Sequence, residues 1–411
     1  MKVKSLVKKI LPSSAINFLK KTKTLPYDIV ARHYLKKVKN KKKHNGIIRV
    51  GFCADFTTVW DKTAPVFELM KTDSRFKVIL FITKTLYTKT EEEFLKVQKF
   101  FKELYPDAEY IIWDESLSIK NYDMDYFFYQ RPYADLYPEN LRVQEVRKYA
   151  KICYIPYGYA GSDVFNAGNT NKLFFRNVYL GFIEIAAELK ILNEQFKHNI
   201  KKGYQSFEKL GYPSFEKYFN LPKKDFQGKV LWTPRWTVDD EVGGSHFFEY
   251  KDDFIEVAEK IDFIFRPHPL MFTNFIDKGI MSKESVDEYV GLLKKQNVEY
   301  SEGNPIEKDF MNADVLLTDY SSIIVEYFLT GKPIIYCKAH YEMNEEYNNL
   351  MKGIYIADTW EDVKRYLDDI LNGRDYLKDE RTRIISNQYA DVQGASKRIV
   401  QRIVDDYSNH E

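Results

Sequence analysis

The sequence predicts an α/β protein made of two Rossmann-like, doubly wound halves facing a cleft, preceded by a basic segment. Three observations predict it. Short β-branched or aromatic runs alternate with stretches of helical spacing, which is the pattern of parallel βαβ units. That alternation runs from residue 47 to 213, then restarts at 228 and continues to about 385. Charge is also divided: residues 1–46 hold thirteen Lys and one Arg against the single acid Asp28, while the rest holds 48 basic and 59 acidic residues.

The elements follow in chain order. Residues 1–46 interleave the basic residues with Leu6, Val7, Ile10, Leu11, Ile16, Phe18 and Leu19. Such a pattern suits a helix lying on an anionic membrane surface; the alternative is a solubilising tail. Nucleic-acid binding is disfavoured because no recognition motif accompanies the charge. "IIRVGFCA" (47–54) and "FKVILFIT" (76–83) read as buried strands flanking the helical "VFELMKTD". "EEEFLKVQKFFKEL" (91–104) is a helix, and "EYIIWD", "YDMDYFFYQ" and "AKICYIPYGY" follow as strands. "GYPSFEKYFNLPKKDFQG" joins the halves and carries the Pro and Gly of a hinge.

The second half, 228–385, opens with the strand "GKVLWTPRW" and the helix 247–260. The strand "DFIFRPHPL" (262–270), a helix at 285–296, the strand 313–320, the helix "SSIIVEYFLTG" (321–331) and the strand "KPIIYC" complete it, with Gly331 as helix stop. Residues 386–411 form a terminal helix. Hydrophobic residues at 44% and charged residues at 30% fit a globular chain. The three cysteines are far apart with no CxxC, against a disulfide framework or zinc site and in favour of a reducing compartment. No signal peptide or run long enough to span a membrane is expected.

In doubly wound sheets, ligands bind beyond the carboxyl ends of the strands, and chemistry-bearing residues gather there. After "DVLLT" come Thr318, Asp319, Ser321 and Ser322 at a helix start, where backbone N–H groups and hydroxyls suit phosphate. Glu326, one turn on, suits a sugar or ribose diol; helix capping by Ser321 is the structural alternative. Arg266 and His268 leave the next strand end, where Pro267 and Pro269 stop the strand and stiffen the turn, a fork and a proton donor suited to a diphosphate. Arg235 follows "LWTP", and Gly243, Gly244, Ser245 and His246 lead into the helix at Phe247. Asp55, Thr57 and Thr58 lie past the first strand and are candidates for the acceptor side.

"ADVLLTDYSSIIVEYFLTGKPIIYC" and "RPHP", with "VLWTPRW" and "LGYPSFEKY", resemble the CDP-glycerol glycerophosphotransferases, which include teichoic-acid primases and polymerases. The resemblance covers roughly residues 150–360. It implies a GT-B fold, no metal or cofactor, and a donor nucleotide held by the second half. It also implies transfer of glycerol phosphate to a cell-surface polymer or lipid-linked acceptor. Arg266 and His268 would hold or activate the pyrophosphate, Ser321 and Ser322 would cradle phosphate, and Glu326 stands where the family often has Asp. The family's Trp-His-Gly segment in the first domain, whose His is the expected base, is replaced here by "YIPYGYAGSD" with Tyr157. A neutral tyrosine is a poor base, so Asp163, Asp55 or His246 would take the proton, or the donor differs.

The expectation is therefore a transferase that moves an alditol phosphate from a CDP-linked donor, releases CMP, and works at the cytoplasmic membrane face in teichoic-acid or capsule synthesis. Two alternatives stay open: a GT-B glycosyltransferase using a nucleotide sugar for capsule or lipopolysaccharide, and a non-catalytic nucleotide-binding protein of a polymer-export complex.

Overall fold

The computed structural model describes residues 13–41, 46–88, 90–159, 161, 172–222, 224–239, 244–296, 298–301, 305–339 and 342–408. The chain divides into two units. The first runs to Tyr159, resumes through Ser214, and takes back the chain from Gly394 onward. The second holds Phe215–Gln393.

The first unit is built on seven parallel strands: β1 (Ile48–Ala54), β2 (Phe76–Ile82), β3 (Tyr110–Ile112), β4 (Tyr126–Tyr129), β5 (Lys151–Tyr154), β6 (Val178–Phe182) and β7 (Ser206–Glu208). Their order is β3-β2-β1-β4-β5-β6-β7, so the winding reverses between β1 and β4. Both faces of a parallel sheet are covered, and β4 and β5 are accordingly buried at every position. Gly51 in β1 is required by packing, because a Cβ there would lie 2.6 Å from the Phe127 ring of β4. The helix Glu91–Leu104 starts in a capping box between Thr90 and Glu93.

The basic segment is more than a tail. Ser13–Lys39 is helical. Ala31, Leu35 and Val38 are buried, Arg176 pairs with Asp28 at 2.8 Å, and Arg32 Nε donates to Asn199 at 2.9 Å. The terminal helix expected over 386–411 is two helices, Lys378–Gln388 and Ala395–Ser408, broken at Gly394 with φ of 78°. The second returns to the first unit. Asp406 accepts from Tyr126 Oη (2.7 Å), Tyr179 Oη (3.2 Å) and Lys151 Nζ, and Arg402 Nε donates to Glu208 at 2.9 Å.

The second unit has six parallel strands: β8 (Val230–Thr233), β9 (Phe263–Phe265), β10 (Glu299–Tyr300), β11 (Val315–Thr318), β12 (Ile334–Cys337) and β13 (Tyr355–Ala357). The order β10-β9-β8-β11-β12-β13 reverses between β8 and β11. Its core is aromatic: the Trp232 ring lies 4.0 Å from Phe254 and 5.2 Å from Phe265. The helix after β11 is shorter than expected, Ile323–Phe328.

Candidate functional site

β9, β8 and β11 are neighbours, so the residues past their carboxyl ends share one edge of the second sheet. Asp319 organises that edge. It is only 2% exposed. Its Oδ2 accepts from the Arg235 backbone N–H at 2.8 Å and from Ser245 Oγ at 3.2 Å. Its Oδ1 accepts from the His246 N–H at 3.3 Å and lies 2.8 Å from His246 Nδ1. One buried carboxylate thus ties the loop after β8, the entry to the helix Phe247–Val257 and the end of β11. Four donors repay its desolvation, as a buried charge requires.

Arg235 folds its guanidinium over the Tyr320 ring, 5.1 Å from the centroid, and its Nη1 donates to the Tyr320 carbonyl. His246 stacks on Tyr250 at 5.3 Å. With Nδ1 committed to Asp319, its Nε2 faces away from the carboxylate, the arrangement of an imidazole oriented as a base.

His268 lies beyond β9. Its Nδ1 accepts the Leu270 N–H at 3.1 Å, so Nε2 carries the proton. Desolvation, and then the nearby Arg235 cation, hold its pKa below the ordinary histidine value. It is a neutral imidazole presenting an N–H. Its ring lies 6.2 Å from Trp236.

Arg266 is anchored differently. Its Nη1 donates to Asp309 at 2.6 Å and to Ser301 at 3.2 Å, and Ser301 Oγ also donates to Asp309 at 2.6 Å. Thr318 is fully buried and acts as a strut. Thr233 Oγ1 donates to it at 2.7 Å, and it donates to the Thr233 carbonyl at 3.1 Å. A role for its hydroxyl in gripping phosphate is therefore corrected: it cross-links β8 and β11. Ser321 Oγ accepts from the Ile323 N–H at 3.4 Å, a local bond in the turn into the helix. Ser322 is exposed and makes no side-chain cap; Glu326 is half-buried in the first turn.

In the first unit, Asp55 is enclosed, with Arg131 Nε and Nη2 both donating to its Oδ2 and Tyr137 Oη donating to Oδ1 at 3.3 Å. Burial raises its pKa. It forms an ion pair with Arg131 enclosed within the first unit, and both of its oxygens are already hydrogen-bonded. Tyr157 shares a 2.6 Å hydrogen bond with Tyr133, and burial pushes its pKa up, so it stays neutral. Asp163 and Gly243 lie outside the described residues.

The two sheets carry these pairs in reversed order. Asp55 follows β1 and Arg131 follows β4, whereas Arg235 follows β8 and Asp319 follows β11. Asp309, Ser301, Thr233 and Trp236 were not singled out from sequence. Asp309 had a signal: an acid beside Phe310 at an inward position of an amphipathic stretch.

The chain is similar in fold to solved nucleotide-sugar enzymes. These include the UDP-GlcNAc 2-epimerase of Neisseria meningitidis (14% identity, TM-score 0.56, 87% of this chain and 100% of that one). The putative UDP-N-acetylglucosamine 2-epimerase of Listeria monocytogenes gives 12% identity and TM-score 0.56 over 88% and 97%. The wall teichoic acid polymerase TagF, H444N with CDPG, gives 13% identity and TM-score 0.50 over 97% and 99%. Comparison with curated proteins gives no match.

Two parallel Rossmann-like sheets with this likeness define a GT-B-like α/β fold. Residues 193–405 match the family described as CDP-Glycerol:Poly(glycerophosphate) glycerophosphotransferase. The chain belongs to that family and is a transferase of the CDP-glycerol glycerophosphotransferase type.

Proposed function

We propose that the protein transfers glycerol phosphate, or a related alditol phosphate, from a CDP-linked donor to a hydroxyl of a cell-surface polymer or lipid-linked acceptor. The acceptor oxygen bonds to the alditol-bearing phosphorus, the P–O bond to CMP breaks, and CMP leaves with the electron pair. The observation that carries this reading is the pairing of a cation, Arg235, with a neutral N–H donor, His268, at adjoining strand ends.

Arg235 and Arg266 neutralise the diphosphate, and His268 Nε2–H donates to the departing phosphate, charge stabilisation that matters most as the bond breaks. Ser321 and Ser322 supply hydroxyl donors, and Glu326 accepts from ribose or alditol hydroxyls. Tyr157 occupies the place of the family's base, so His246, oriented by Asp319, takes the acceptor proton. The outward side of the amino-terminal helix, apolar at Leu25, Ile29 and Val30 and basic at Lys36 and Lys37, supports work at the membrane face in teichoic-acid or capsule synthesis.

Incubation with CDP-glycerol and a membrane-extracted acceptor tests this. CMP release and a product heavier by one glycerol phosphate are expected. Tyr157 favours the rival, a glycosyltransferase. UDP release from a UDP-sugar, or CMP release from CMP-linked sugar alone, with CDP-alditols left intact, supports that rival instead.

A further inference from the structure

We propose that a lysine-lined pocket on the first unit binds the phosphate headgroup of an acidic phospholipid. The pocket has a volume of about 380 Å³ and lies between the end of the helix Ser13–Lys39 and the amino ends of β4 and β5. It therefore opens at the opposite ends of the strands from the loops carrying Asp55 and Arg131.

Lys37, Lys41, Lys120 and Lys148 line it, with Asp123 and Tyr149. Lys41 Nζ pairs with Asp123 at 2.8 Å and donates to the Met124 carbonyl at 2.8 Å. Lys148 pairs with Glu145. Lys37 and Lys120 have no carboxylate partner among the described residues. Four ammonium groups against two carboxylates leave the pocket doubly positive, which matches a phosphate. Asp123 is the one non-glycine residue with positive φ (53°) among those described, a conformation that Asp tolerates but most residues avoid. Its backbone is held there while its side chain fixes Lys41.

The same helix identifies the source of the phosphate. Ala31, Leu35 and Val38 face the unit's core. The opposite side carries Leu25 (50% exposed), Ile29 (55%) and Val30 (45%), then His33, Lys36 and Lys37. Exposed apolar residues leading into cations suit an interface where acyl chains and anionic headgroups meet. A free phosphate would use the lysines alone and leave the apolar side chains in water. The inference rests on the membrane-face reading above and deepens it to one site.

The test is co-sedimentation of the full chain with vesicles of phosphatidylcholine alone and of equal parts phosphatidylcholine and phosphatidylglycerol. Wild type should prefer the anionic vesicles. Lys37→Ala with Lys120→Ala should weaken that binding about thirtyfold, the worth of two lysines at a charged surface. Lys96→Ala with Lys99→Ala, an equal charge change on the helix Glu91–Leu104, should leave it unchanged. If the pocket variant binds like wild type while Leu25→Asp with Ile29→Asp abolishes binding, the pocket is overturned and the membrane reading stands. If wild type binds neither vesicle, both are overturned. If the pocket variant loses binding of inorganic phosphate in solution yet sediments with anionic vesicles like wild type, the lipid assignment is overturned in favour of a free phosphate site.

Discussion

His268 illustrates how a strand end sets the chemistry of one residue. Its lowered pKa, from desolvation and then Arg235, keeps the neutral N–H donor below the ordinary value of 6.5. An NMR titration of the His268 ring in the free enzyme should therefore find its midpoint below 6.5, where Nδ1 protonates and releases Leu270. A bound diphosphate favours the imidazolium, so the His268 midpoint in the donor complex should lie at higher pH. His268→Gln should lower kcat by roughly a hundredfold to a thousandfold, the scale of losing one charge-stabilising donor. A His268 midpoint above pH 6.5 in the free enzyme would argue against a depressed histidine. Arg266 depends on a residue further back. Asp309→Ala leaves a guanidinium without its buried carboxylate, with a loss of about 3 kcal/mol in denaturant melts and a raised KM for the donor. An unchanged KM would remove Arg266 from the donor site.

At the scale of elements, β11 and the helix behind it explain what the sequence could and could not show. The strand was legible because Val315–Leu317 are apolar and β-branched or branched, and the strand end was legible because polar residues follow at once. Thr318 looked like a ligand because a hydroxyl at a strand end has the right chemistry. Its partner, Thr233, lies 85 residues away, and pairing between β8 and β11 is not written in local sequence. Thr318→Val should therefore cost about 1–3 kcal/mol of stability while leaving kcat/KM for the donor within twofold or so of wild type, since the loss is structural. A folded variant with kcat/KM collapsed would restore Thr318 as a ligand. The six-residue helix Ile323–Phe328 offers little dipole, so Ser322→Ala should weaken donor binding by only about 0.5–1.5 kcal/mol, a hydroxyl's worth. β6, β7 and the helix Ala186–Lys201 escaped the sequence reading: β7 is only three residues long, and the helix has no side-chain cap to mark its start. Arg235, Arg266 and His268 were legible because Pro and basic residues interrupt apolar runs. Asp319's role was not, because a carboxylate beside two serines reads as a ligand until its four donors are seen.

At the scale of the whole chain, the last helix closes the first unit after the second has been completed. Asp406 is the tie, set among Lys151, Tyr126 and Tyr179. Burial lowers the Lys151 pKa, and Asp406 opposes that shift. Asp406→Ala should cost the first unit about 3–5 kcal/mol, the usual consequence of orphaning a buried charge, and unfolding followed by far-ultraviolet circular dichroism should show it. A variant as stable as wild type would mean the helix is merely apposed.

The reversed placement of arginine and aspartate past β1/β4 and β8/β11 has a kinetic corollary. Inside the first unit, Arg131 is spent on Asp55 within a closed charge-neutral knot, so an incoming polyanion finds no net attraction there. In the second unit the carboxylate is consumed by backbone and hydroxyl donors, and Arg235 keeps its cationic character at the sheet edge. On the proposed reading, the second unit's berth takes the nucleotide and the first unit's does not. CMP should behave as a competitive inhibitor toward the CDP-linked donor and as a noncompetitive one toward the acceptor.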